Sequence, residues 1–443
     1  MARTPLTTCL ASLLAALLFS ASVFAAAPAK PLPELKAAAE KGAAADQLAY
    51  GRALAADHAQ RDEAREWLEK ASAQGSGEAT WYLGYAGIGK EKPVDYYEKA
   101  AEQGYGPAFM LALDALLFRA GPDADVAAAK KLADLARAKK VNLGFDTDAL
   151  PTVDLCAAAG SAEVPAGDKP SAEELNSLKD ADCETYAVRD WTHFRKCQLA
   201  SPAPDNNRVA EVYANGWGVA RDGRLALALV CHGGTVPAEL EGMAKFLAST
   251  RDQPALQKPF SACDYATSGD SVSQCAARVA RVETTKREAK SGALTSKWSA
   301  PQKAAFAKLQ AAADKFISER IHSEIDLSGT MRGALQTAEE KKLRAGIAED
   351  LEALELGQLL TLTDLAAADS ELNAAYHHAM QKLATPQGTI SQDGVKKTER
   401  KWIPYRDAWA AFGVARYPTV PAEAWKAWTT RARTQQLLEL AAP

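Results

Sequence analysis

The sequence predicts an all-α, disulfide-stabilised protein: a short N-terminal helix-turn-helix solenoid followed by a C-terminal helical-bundle domain. Three observations carry that expectation. Apolar residues recur at a 3.6-residue period, as in Phe306, Leu309, Ala313, Phe316 and Ile317, with Arg320 beyond them. Ala368, Leu372, Ala375, Ala379 and Leu383 form a second such stripe. A block of helix-forming residues closed by glycine recurs in the N-terminal half, and no alternating stretch bounded by turn signals is long enough for a confident sheet.

The chain has 443 residues, 47% hydrophobic and 24% charged. That balance supplies more than one core and excludes collagen, a disordered chain and a polytopic membrane protein. At about 150 residues per domain, two or three domains are expected. The net charge of −4 gives no global reason to expect a nucleic-acid partner.

The first segment reads as a secretory leader over residues 1–25. Arg3 supplies the positive start, and Leu10 to Phe24 is an apolar run of signal-peptide length. Val23-Phe24-Ala25 and Ala25-Ala26-Ala27 both place small residues where a signal peptidase needs them. A membrane anchor is the competing reading, but the run is short for a span of about 20 residues and ends in alanines. No later stretch is apolar enough to span. A periplasmic or secreted location follows, and it changes the meaning of the cysteines.

Cys9 lies in the leader, so six cysteines remain: Cys156, Cys183, Cys197, Cys231, Cys263 and Cys275. An even number in an exported chain reads as disulfides. Six cysteines allow 15 pairings. Nearness favours Cys183–Cys197 and Cys263–Cys275, which leaves Cys156–Cys231. With no CxxC pair and no histidine at zinc-finger spacing, no metal and no cofactor are expected.

Residues 26–255 are expected to hold the repeats. Trp67-Leu-Glu-Lys-Ala-Ser-Ala-Gln-Gly-Ser-Gly-Glu-Ala79 aligns with Tyr96-Tyr-Glu-Lys-Ala-Ala-Glu-Gln-Gly-Tyr-Gly-Pro-Ala108, with seven of 13 positions identical at an offset of 29. Ala38-Ala-Glu-Lys-Gly42 is a fainter copy. Gly42, Gly75 and Gly104 suit the left-handed position that ends a helix. Ala79, Gly84 and Ala108 are small enough to let neighbouring helices approach closely. Gly84-Tyr-Ala-Gly-Ile-Gly89 and Tyr213-Ala-Asn-Gly-Trp-Gly-Val219 read as glycine turns between helices. These blocks resemble the Sel-one-like repeat, a relative of the tetratricopeptide repeat. The resemblance implies stacked antiparallel helix pairs, and often an adaptor role in envelope or signalling complexes.

Residues 256–290 read as a connector closed by Cys263 and Cys275, with a charged helix from Arg278 to Lys290 leading out of it. The C-terminal domain is expected over 291–443. There, Ala368-Asp-Ser-Glu-Leu-Asn-Ala-Ala-Tyr376 places Asp369, Asn373 and Tyr376 on one helix face. Glu399-Arg-Lys-Trp-Ile-Pro-Tyr-Arg-Asp-Ala-Trp409 follows, then Phe412 and Thr430-Arg-Ala-Arg433. Trp402, Tyr405, Trp409 and Phe412 form an aromatic seam with Arg406 beside it, and Pro404 predicts a kink. These motifs, in this order, resemble the LprI-like lysozyme inhibitor family, as do Cys263-Asp-Tyr-Ala-Thr-Ser-Gly269 and Asp326-Leu-Ser-Gly-Thr-Met-Arg332. The resemblance covers roughly 258–443 and implies a protein-binding role.

Two readings of the signature stand side by side. Asp369, Asn373, Tyr376, Trp402, Tyr405, Arg406, Asp407 and Trp409 either lock helices together, with an Asp369–Arg406 bridge, or form a contact face for lysozyme. Charge adds a second set of candidates. Residues 345–381 carry seven acidic residues and no Lys or Arg, among them Glu349, Asp350, Glu352 and Glu355. Residues 382–433 are predominantly basic. An acidic patch would steer a basic partner toward it, while a solvated helix face is the plainer alternative.

Catalysis is not expected. The histidines show no HExxH spacing, and His377 and His378, being adjacent, point in different directions on a helix. No GxSxG, P-loop or GxGxxG context appears. The leading expectation is an exported protein that occludes an enzyme's cleft without turnover, lysozyme being the most concrete partner. The alternative is a periplasmic adaptor that binds another cell-envelope protein through its solenoid, with a structural C-terminal domain.

Overall fold

The computed structural model describes residues 30–141, 143, 149–187, 190–358, 364–385 and 388–441. The expected leader and its cleavage motifs lie outside the described residues. All regular structure among the described residues is helical. Contacts divide the chain into two compact units. One holds residues 30–116 together with 128–143; the other holds 117–127 and 149–441.

The first unit contains α1 (Leu32–Ala39), α2 (Ala44–Ala55), α3 (Arg61–Ala73), α4 (Gly77–Tyr85), α5 (Pro93–Glu102), α6 (Gly106–Leu113) and α7 (Val126–Ala138). From α1 to α6 each helix packs against the next, around Tyr50, Leu54, Leu68, Leu83 and Tyr96. Nearest-neighbour stacking of this kind buries faces that no single hairpin could cover. Gly42, Gly75 and Gly104 adopt φ of +96°, +88° and +92°, the left-handed stops expected of them. After Gly75, the Ser76 N–H returns to the Ala71 carbonyl at 3.1 Å; after Gly104, Tyr105 N–H returns to Ala100 at 2.9 Å.

The repeated glutamine has a repeated task. Gln74 donates to the Gly42 carbonyl at 3.0 Å, and Gln103, 29 residues later, donates to the Ser72 carbonyl at 3.2 Å. Each therefore ties its own hairpin to the one before. Gly84 is equally constrained: a Cβ there would meet the Pro93 carbonyl and Tyr96 Cβ, both at 3.0 Å.

The second unit begins its regular helices with α8 (Ala149–Ala159), α9 (Ala172–Leu178), α10 (Trp191–Ala200), α11 (Asn206–Asn215), α12 (Gly223–Cys231) and α13 (Pro237–Thr250). Disulfides join Cys156 on α8 to Cys231 on α12, Cys183 to Cys197 on α10, and Cys263 to Cys275. The Tyr213–Val219 turn carries α11 into α12, where the Asp222 carboxylate accepts from the N–H groups of Arg224 and Leu225.

Residues 149–255 group with the C-terminal helices, not with residues 30–116, so the contact boundary falls well before residue 255. The physical cause is a polar clasp. Buried Glu211 on α11 accepts from Ala262 N–H at 2.8 Å, and Arg278 reaches Asp205 at 3.1 Å. Glu239 on α13 accepts from the N–H groups of Thr267 and Ser268 at 2.8 and 2.7 Å. The connector is thereby bound to the helices before it.

Beyond the connector lie α14 (Gly269–Thr295), α15 (Ala300–Ser323), α16 (Arg332–Glu355), α17 (Leu365–Lys382), α18 (Gln392–Arg416) and α19 (Ala422–Leu440). α15 packs on α18, α17 on α19, and α18 on α19; α16 lies against α14 and α15. Both predicted apolar stripes are buried along their lengths. Gly413 on α18 allows a close crossing, since a Cβ there would sit 2.2 Å from the Trp425 ring of α19. α18 continues through Pro404, which lies on its exposed side.

Candidate functional site

The C-terminal helices place the sequence-predicted residues in three different settings. The aromatic seam is mostly core. Trp402, Trp409 and Phe412 are buried, and Trp298, Phe306 and Phe412 meet with ring centroids 5.3 to 5.5 Å apart. Tyr405 stacks on Phe316 at 5.1 Å, and burial raises its phenol pKa. Seven-residue spacing on α18 turns these rings toward α15 and α19, where aromatic packing adds to area burial.

A second set forms a polar surface row. Arg406 lies 3.6 Å from Asp369 across α17 and α18, the bridge that the spacing suggested. The separation exceeds hydrogen-bond length, so the contact is ionic. Arg406 also lies 3.5 Å from Asp407 and 5.2 Å from the Trp402 ring centroid. Asp407 has a second cation, Lys426, at 3.5 Å. Tyr376 is half-buried against the apolar core, whereas Asn373 is exposed.

The acidic segment is broken up by pairing. Glu352 binds Lys290 at 2.5 Å. Glu355 accepts from Arg416 at 2.9 and 2.8 Å and from the Tyr417 hydroxyl at 2.8 Å. Asp364 caps α17 by accepting from Ala366 N–H at 3.1 Å. Glu349, Asp350 and Glu371 lack such partners among the described residues, and Glu349 and Glu371 are exposed. The charge run is therefore partly structural.

Five predicted residues meet in one cleft of about 460 Å³. Glu349 and Asp350 come from α16; Trp402, Tyr405 and Trp409 come from α18. Phe316 and Ile317 of α15 contribute the apolar floor, and Trp428 and Arg433 of α19 complete the wall. Asp350 is half-buried there, and burial, reinforced by Glu349, pushes its carboxyl pKa up to about 6. Such a cleft can hold an apolar side chain or small group and offers one polar anchor; its volume lies in the range of roughly 300–1,000 Å³ usual for ligand sites.

Sequence reasoning missed the buried charge network beneath this cleft. Arg433 is fully buried and donates to Glu324 at 2.5 and 2.9 Å and to Glu399 at 2.7 Å. Arg320 donates to Glu324 at 2.7 Å and to Glu339 at 2.9 Å. Arg320 did carry a signal, since it falls in register with an apolar stripe. Glu324 carried none, because its burial depends on helices far away in sequence.

Among the described residues, no group of three or more His, Cys, Asp and Glu side chains could hold a metal ion. No described helix is long and apolar enough to cross a membrane. No curated protein matches this chain. Residues 360–437, which span α17, α18 and nearly all of α19, match the family model described as "Lysozyme inhibitor LprI".

Proposed function

We propose that this protein is exported to the periplasm or secreted and binds a protein partner through its C-terminal helices, most concretely as a lysozyme inhibitor. The observation that carries this reading is the match of residues 360–437 to the lysozyme inhibitor family. The three disulfides support an oxidising compartment. Inhibition would proceed by occlusion: a rigid helical face covers the enzyme's cleft, and no bond is made or broken. Rigidity has a physical basis in the buried Arg433 network, which ties α15, α16, α18 and α19 together before any partner arrives and so lowers the entropic cost of binding. The unpaired carboxylates Glu349, Asp350 and Glu371 favour a basic partner over an acidic one.

The test is a turbidity assay in which the purified chain, freed of its leader, is titrated into lysozymes acting on bacterial cell walls. Lysis should slow in a saturable way. Undiminished lysis by every lysozyme tested, at a large molar excess of this protein, removes the reading.

An adaptor role for the first unit, built on Sel-one-like repeats, is supported by a separate observation. Trp81 stacks on Tyr85 at 4.7 Å and lies 5.5 Å from Tyr105, and Tyr85 is 62% exposed. If that aromatic face recruits an envelope protein, Trp81→Ala with Tyr85→Ala will abolish its capture by the full chain while leaving any lysozyme inhibition intact.

A further inference from the structure

The α15–α16–α18–α19 cleft contains an unusual charge arrangement. Two of its lining residues are basic, and both are already neutralised. Arg433 is held by Glu324 and Glu399, and Lys342 lies 3.6 Å from Glu439. The two acidic lining residues, Glu349 and Asp350, have no counter-ion among the described residues. The uncompensated charge in the cleft is therefore negative. Around it stand Trp402, Tyr405, Trp409 and Trp428, with aliphatic surface from Leu343 and Ile347.

Each part of that arrangement favours the same chemical group. Aromatic rings attract cations to their faces, best where water is partly excluded. Aliphatic walls suit the methylene stem of a long basic side chain. A carboxylate without a partner gains most from a cation brought to it, because the cost of its own desolvation is already met by folding.

We propose that this cleft receives one arginine or lysine side chain from a basic protein partner, with Asp350 as its counter-ion and Glu349 as the charge at the rim. The inference deepens the proposed protein-binding role and rests on that reading only for the identity of the molecule bearing the side chain. It places the specificity of the contact on α16, a helix outside the segment matched to the inhibitor family.

The geometry also implies a dependence on pH. Asp350 must be ionised to act as counter-ion, so occupancy falls as pH drops through about 6. The other titratable groups facing the cleft are Glu349, Lys342, Tyr405 and Arg433. Of these, burial shifts Tyr405 upward, and the Glu324 and Glu399 carboxylates raise Arg433 against the opposing effect of its burial, so both keep one protonation state through that range.

The experiment uses the leaderless full chain and three probes: Nα-acetyl-arginine amide, Nα-acetyl-lysine amide, and the uncharged isostere Nα-acetyl-citrulline amide. Binding is followed through the indole N–H resonances of Trp402, Trp409 and Trp428. At pH 8 the two cations should bind saturably, and the citrulline probe about tenfold or more weaker. Asp350→Asn should weaken the cations about tenfold, and pH 5 should do the same to the wild type. Glu423→Gln, at the exposed start of α19 and outside the cleft lining, should change nothing.

Equal binding of arginine and citrulline probes, unchanged binding to Asp350→Asn, or no binding of either cation would each overturn the inference. The lysis assay separates this failure from that of the proposed function. Lysozyme inhibition without cation binding refutes the cleft alone; Asp350-dependent cation binding without inhibition refutes the lysozyme reading alone.

Discussion

Arg433 and Glu324 form a bidentate ion pair with no solvent exposure of either side chain, at 2.5 and 2.9 Å. Arg433 belongs to α19, inside the family-matched segment, while Glu324 ends α15, well before it. The three matched helices are thus completed by a fourth whose terminal carboxylate neutralises their buried cation. A buried pair of this kind contributes little net stability when intact, but removing one partner strands the other charge.

Glu324→Gln is accordingly expected to cost about 3–5 kcal/mol, since Arg433 and Arg320 both lose their shared carboxylate. Urea unfolding followed by circular dichroism measures this. Glu324→Leu combined with Arg433→Met should be less destabilising than the sum of the single changes. Strict additivity would mean that the pair is not coupled.

Asp350 makes the opposite contribution. Its carboxyl is raised from an ordinary value of 3.8 to about 6, so below pH 3.8 both folded and unfolded forms are protonated. As pH rises toward 6, the unfolded chain ionises first and stability is lost. Asp350→Asn should therefore stabilise the protein by about 1 kcal/mol at pH 8, where solvent access to the cleft moderates the full effect, and by almost nothing at pH 4. Denaturation midpoints at the two pH values check this; an equal gain at both would contradict it.

Glu239 carries the more usual sign. Burial pushes its carboxyl up, but hydrogen bonds from the Thr235 and Ser271 hydroxyls and the Ser268 and Thr267 N–H groups outweigh that and lower it to about 2. Its contribution is full above about pH 4.5 and disappears as pH falls through 2. Glu239→Gln should cost about 2 kcal/mol at pH 7 and narrow that difference progressively toward pH 2. Because Glu239 holds the residues that start α14, hydrogen exchange in α14 should rise in this variant.

The Cys156–Cys231 bond closes the longest of the three disulfide loops, with a sequence separation of 75. Replacing both cysteines by serine should destabilise the protein by about 2–5 kcal/mol, more than the same change at Cys263 and Cys275. The two shorter bridges close loops with separations of 14 and 12 and remove less freedom from the unfolded chain. Thermal unfolding of the two double variants decides the order.

Charge reversal within Glu349, Asp350, Glu352 and Glu355 should have two distinct effects, because ion pairs hold only part of the set. Glu352 and Glu355 already serve Lys290 and Arg416. Reversing them would strain the α14–α16 and α16–α18 packing, whereas Glu349→Lys with Asp350→Lys probes partner binding directly. Only the second pair should weaken inhibition without lowering the denaturation midpoint by more than about 1 kcal/mol equivalent.

Much of this architecture was legible along the chain because local periodicity and glycine stops are local physics. The stripes at Phe306–Ile317 and Ala368–Leu383 marked buried helix faces, and Gly75 and Gly104 marked helix ends, since each signal depends only on residues within a few turns. The acidic run at Glu349–Glu371 was legible as composition but not as surface. Lys290, Arg406 and Arg416, which neutralise its members, come from other helices. Secondary structure and cysteine parity followed from short-range rules. The burial of Glu324, the isolation of Asp350 in an aromatic cleft, and the attachment of residues 149–255 to the C-terminal helices were decided by tertiary packing. Desolvation and ion pairing depend on which distant groups arrive within a few ångströms, and no window of sequence contains that distance.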